Sequence, residues 1–152
     1  MSDTLANFAA SMFRARRTRR LRAVEAGEQT PEQAEQVLRP WLAIAIDVGA
    51  DLHEFADLLA ETVIYERNMD AAARERRQRD TRRRVADDIA PLSARRDLVE
   101  RERNHALNVL GHAMASAQPP ATLENLRHTA AMLVALADHV GVTAPYLPKV
   151  PA

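Results

Sequence analysis

Apolar residues recur at three- and four-residue intervals through most of this chain, and the intervals break at recognisable start and stop signals. The pattern predicts five main helices and no strand. It is densest between Thr30 and Met69, where Val37, Trp41, Ile44 and Val48 share one helical face and Leu52, Phe55, Leu59 and Val63 repeat it beyond Gly49. Two helices sharing one buried seam follow from that repeat.

Towards the N-terminus, Leu5, Phe8, Met12 and Ala15 share a face of a first helix that Asp3 or Thr4 can cap and Gly27 can end. Thr30, Pro31 and Gln33 form a start signal for the second helix, because Pro suits the first helical position and the Thr and Gln side chains cap reciprocally. So short a connection implies an antiparallel hairpin. Pro40 interrupts the second pattern and predicts a kink or break just before Trp41.

Asp51 with Glu54 opens a third helix, whose apolar face runs through Leu52, Phe55, Leu58, Leu59, Thr62, Val63, Tyr65 and Met69. From Arg74 to Arg84 there is no apolar residue, although Arg, Glu and Gln keep helix propensity high. A continuous helix from Leu52 to Arg84 would be about 50 Å long, more than a compact domain of this size needs, so part of it is expected to project into solvent.

Asp87, Asp88 and Pro91 mark a bend, after which Val99, Ala106, Leu110, Ala113 and Ala117 give a fourth helix a modest stripe that Pro119 and Pro120 stop. Thr122 is the expected cap of a fifth. There Leu123, Leu126, Ala130, Leu133, Ala137 and Val140 form the most regular stripe in the chain, closed by Gly141 and Val142. The pattern as a whole describes an all-α, single-domain helical bundle over residues 1–142, with a Pro-rich tail over 143–152 that reads as an extended strap or disordered end.

Composition sharpens this picture at three points. With 29 Ala and only six aromatic residues, the core must come from closely packed helices with small side chains between them. The absence of Cys removes disulfide and thiolate chemistry and fits a reducing compartment. Twenty of the 21 basic residues are Arg, a bias that points to a GC-rich bacterial or phage genome. The longest apolar run, Ala130 to Ala137, is too short to cross a bilayer, so a cytoplasmic protein with no membrane association is expected.

A formal net charge of zero conceals sharp segregation. Residues 14–22 carry six Arg and no acid, residues 23–70 carry eleven acids against Arg39 and Arg67, and residues 71–84 carry seven Arg against Glu75 and Asp80. The two Arg clusters differ in local pairing. In the later one every Arg except Arg82 has an acid three or four residues away, as in Asp70 to Arg74, Glu75 to Arg79 and Asp80 to Arg84. In the earlier one only Arg22 has such a neighbour, so Arg14, Arg16, Arg17, Arg19 and Arg20 need partners from elsewhere and form a candidate phosphate- or nucleic-acid-binding arm.

Motifs that could carry other chemistry are sparse. Ile44 to Leu58 has the small and apolar spacing of a helix-turn-helix, but its second helix would present Asp51, His53, Glu54, Asp57 and Glu61 to a polyanion, which is unfavourable. Glu102 with His105 gives one E-x-x-H, the spacing of di-iron bundles, without the second copy or the further Glu residues such a site uses. His53, Asp57 and Glu61 form one-turn pairs without an identifiable nucleophile. No metal, cofactor, catalytic residue or small-molecule substrate is predicted.

The N-terminal hairpin over residues 5–47 resembles a pattern in small phage and prophage helical proteins of unassigned function, carried here by Phe8, Arg14, Arg17, Arg20, Val24, Gly27, Thr30, Gln33 and Ala34 and departing from it at Pro40. The resemblance implies a phage or mobile-element origin and brings no catalytic residue with it. The sequence therefore leads to a non-enzymatic protein acting through protein–protein contacts, with a host or virion component or with itself. Arg76, Arg77, Arg82, Arg83, Tyr146 and Leu147 are its candidate contact residues. Nucleic-acid binding by the Arg-rich helix is the alternative, and a metal-dependent bundle enzyme the remote one.

Overall fold

The computed structural model describes residues 2–50, 52 and 70–148, and five helices lie among them. These are α1 (Ser2–Glu25), α2 (Pro31–Asp47), α3 (Ala71–Ile89), α4 (Leu92–Met114) and α5 (Pro120–Val140). No strand occurs among the described residues, and the chain is all-α with helix-on-helix packing, as the periodicity predicts. The third helix expected to open at Asp51, with its apolar face through Met69 and the second half of the helix-turn-helix pattern, lies outside the described residues apart from Leu52. Leu52 itself is buried.

Contacts divide the chain into two compact units, Met1–Pro91 and Leu92–Ala152, where composition predicts one domain and a tail. In the first, α2 packs against both α1 and α3. Its second half is accordingly buried on most sides, through Trp41, Ala43, Ile44, Ala45 and Ile46, with Val48 buried just beyond its end. Among the described members of the predicted seam, Val37 is the exception, at 39% exposed. Pro40 sits inside a helix that runs unbroken from Pro31 to Asp47, so of the predicted kink or break the break is absent; burial of the turns that follow it offsets the single missing backbone bond.

Helix α1 begins at Ser2, which places Asp3 and Thr4 inside its first turn rather than at its cap. Its buried stripe is Ala6, Ala9, Ala10 and Phe13, whereas Leu5, Phe8 and Met12 are half-buried and Ala15 is exposed. The stripe turns towards the alanines because a methyl group lets two helix backbones approach closely, and the larger side chains then flank the contact. The same logic joins α2 to α3, where Ala43, Ala86 and Ala90 meet with Ile89 beside them. At the hairpin, Thr30 Oγ1 accepts from the Gln33 N–H at 3.2 Å and Gln33 Oε1 accepts from the Thr30 N–H at 3.0 Å, the reciprocal cap read from the sequence.

Asp70 has an extended backbone (φ −67°, ψ 166°) and accepts the Ala73 N–H through Oδ1 at 2.7 Å, capping α3. A continuous helix from Leu52 to Arg84 is thereby ruled out. The second half of α3 also does have a face to bury, carried by Thr81 and Ala86, while Arg74 to Asp80 are exposed.

In the second unit, α4 and α5 pack antiparallel, with Arg96 near the start of α4 meeting Val140 at the end of α5. Ala130, Leu133, Leu136, Ala137 and Val140 form the core stripe of α5. That helix starts at Pro120 after Pro119, without a side-chain cap, so Thr122 lies in its first turn and is not the cap. Met114 ends α4, which leaves Ala117 outside the helix and exposed. The tail folds back along α4: Arg103 Nη2 donates to the Ala144 carbonyl at 2.8 Å, and the Tyr146 hydroxyl donates to Asn108 Oδ1.

Candidate functional site

The two Arg clusters both lie in the first unit, and they meet different parts of α2. Arg16 stands over the Trp41 ring, 5.8 Å from its centroid, at the middle of α2. Arg82 reaches the other end, donating through Nη1 to the carbonyls of Ile46 and Ala50 at 3.4 Å each. Those carbonyls belong to the α2 C-terminus and the residues just after it, where the helix dipole is negative, and the Ile46 carbonyl, which also accepts the Gly49 N–H, has a second lone pair for the guanidinium. Arg83 lies beside it, with Nε 3.9 Å from the Asp47 carboxylate, and its side chain stays 69% exposed.

The cluster on α1 is less available than its lack of sequence neighbours implies. Arg14, Arg16 and Arg17 all have intramolecular partners, and Arg16, Arg17 and Arg20 are half-buried. The Arg20 Nε is buried with no hydrogen-bond partner among the described residues. Arg14 and Arg19 are the exposed members of the five predicted contacts. Arg14, Arg16 and Arg17 thus find partners within the chain, Arg16 on another helix. Trp41, only 2% exposed, supplies the aromatic face on which Arg16 rests, and it was legible as core but not as a partner for Arg16.

On α3 the geometry sorts the candidates cleanly. At 100° per residue, Arg76, Arg77, Arg83 and Arg84 fall on one side and Arg82, Val85 and Ile89 on the opposite side. The first four are exposed and the other three are half-buried. Arg82, offered by the sequence as an interaction residue, is instead an internal cap for α2. Asp80, also exposed, is the single acid within the outward stripe between Arg76 and Arg84.

In the second unit, Tyr146 is half-buried with its hydroxyl bonded to Asn108, whereas Leu147 beside it is 76% exposed. Sequence reasoning missed Arg95 and Arg103, which are 1% and 8% exposed and share the buried face of α4 with Val99. Their four-residue spacing from Val99 was the available signal, masked by their charge. Arg103 is satisfied by Asn104 Oδ1 and by the Ala144 carbonyl, so its role is to hold the strap.

Glu102 is half-buried and His105 exposed on α4, and among the described residues no group of three or more His, Asp or Glu side chains could hold a metal ion. His53, Asp57 and Glu61 lie outside the described residues. No described helix is long and apolar enough to cross a membrane. Compared with protein-family models, curated proteins and solved structures, the chain matches none.

Proposed function

We propose that this chain is a non-enzymatic binding protein that engages an anionic macromolecule through the outward face of α3. The observation that carries this reading is the placement of Arg76, Arg77, Arg83 and Arg84, all exposed, on the side of α3 turned away from Arg82, Val85 and Ile89. Four guanidinium groups on about three helical turns create a local positive field in a molecule of zero net charge. A planar, permanently charged fork suits carboxylate, sulfate or phosphate oxygens in pairs.

An accessory role in a phage or mobile element, which the resemblance of the hairpin implies, is in keeping with a small binding protein of this kind. Retention on a sulfated polysaccharide resin tests the reading, because a chain with no net charge is held there only by a concentrated patch. The native protein should elute well above the salt needed for the Arg76→Glu, Arg77→Glu double variant. Equal elution of the two would end the proposal.

A further inference from the structure

Resting on that reading, we infer that the anionic partner is duplex nucleic acid, entered by α3 along the face of Arg76, Arg77, Arg83 and Arg84. Three observations separate this occupant from a protein or a single strand. First, residues 74–84 contain no apolar side chain at all, so the face has nothing to form the desolvated centre that a protein interface is built around. Second, α3 contains no aromatic residue on which unpaired bases could stack. Third, Ala71, Ala72 and every residue from Arg74 to Asp80 are exposed, so surfaces can approach this stretch from more than one side.

The dimensions agree with a groove. A helix with its side chains is about 10–12 Å across, and the major groove of a duplex is about 12 Å wide. Arginines spaced over a few turns then meet phosphates on the flanking strands, a contact that positions the helix without dictating sequence. The inward anchors fix the orientation. Arg82 on the α2 carbonyls and Ala86 against Ala43 hold the second half of α3 to the unit, so Arg77 and Arg84, opposite Ala86, are turned outward, while Arg83 lies at the edge of the stripe beside Asp47. Asp80 opposes binding from within the stripe, and its removal should strengthen what the arginines do.

Surface plasmon resonance of the full chain over immobilised duplex, single-stranded DNA of the same sequence and poly-glutamate, at several salt concentrations, tests the inference. Four phosphate contacts give a slope of log K against log salt of about −3 to −4 on duplex. The Arg76→Ala, Arg77→Ala, Arg84→Ala triple variant, checked for native helicity, should bring that slope to about −1 and weaken duplex binding at least tenfold at low salt. Asp80→Asn should tighten it several-fold. Single-strand binding as tight as duplex, or a triple variant that binds duplex like the native chain, overturns the inference. Binding to poly-glutamate in preference to duplex overturns it while leaving the anionic-partner reading in place. Binding to none of the three surfaces overturns both.

Discussion

Arg96 on α4 donates through Nε to the carbonyl oxygen of Val140, the last residue of α5, at 2.6 Å. The same guanidinium lies over the next residue, Gly141, where a Cβ would come within 2.9 Å of Arg96 Nη2. Gly141 has φ +80° and its N–H and that of Val142 return to Asp138 and Ala137, closing the helix. Arg82 does for the end of α2 what Arg96 does for α5, and Gly49 closes α2 with the same backbone pattern at φ +89°.

The two glycines differ in a way that substitution can read. Gly49→Ala meets open space and carries only the left-handed backbone strain, about 1 kcal/mol. Gly141→Ala carries that strain and also displaces Arg96, so it should destabilise by roughly 2 kcal/mol. Chemical denaturation followed by circular dichroism, with Arg96→Ala as a background in which the difference disappears, measures this.

Adjacent arginines on α3 should behave unequally. Arg82→Met removes a charged donor from two carbonyls and should cost about 1 kcal/mol of stability. Arg83→Met removes only a long, solvent-exposed ion pair and should change stability by less than about 0.5 kcal/mol. Equal losses in the two variants would refute the capping role of Arg82.

The strap is held by two side chains of α4. Tyr146→Phe breaks the bond to Asn108 and should weaken the second unit by about 1 kcal/mol. Arg103→Ala should do more, because it frees the Ala144 carbonyl and empties a buried position. Limited proteolysis should then cut between residues 143 and 148 faster in both variants, and fastest in Arg103→Ala.

On α2, position rather than apolarity decides the effect. Trp41→Ala opens a cavity in the interior and should cost about 3–5 kcal/mol, enough to unfold the first unit under mild denaturant. Val37→Ala, at a site 39% exposed, should stay within about 1 kcal/mol of the native chain. Thr30→Ala falls between them at about 1 kcal/mol, through loss of the reciprocal cap with Gln33.

The all-α class, the hairpin at Thr30, the closures at Gly49 and Gly141 and the stripe of α5 were all legible, since each rests on local geometry or on a strong period. What periodicity could not assign was which of two adjacent faces wins when one is lined by alanine. Reading by side-chain size favoured Phe8 and Met12 in α1, yet the contact formed on Ala6, Ala9 and Ala10. Nor could charge reveal burial: Arg95 is 1% exposed, and Arg103 and Arg82 reach inward because backbone carbonyls elsewhere in the chain receive them, up to 41 residues away. Exposure of Arg76 and Arg77 was legible from the lack of apolar neighbours. Which way the stripe faces became definite only once Ala86 and Ala90 were seated on Ala43.

The sole Trp sits deep in the first unit at position 41, and the second unit holds Tyr146 at its strap. Each unit thus carries its own chromophore. Emission excited near 295 nm follows the first unit alone, while helical ellipticity follows both. Coincident melts by the two signals would show that Met1–Pro91 and Leu92–Ala152 unfold as one cooperative body, and separated melts would assign the earlier transition to one of them without any further labelling.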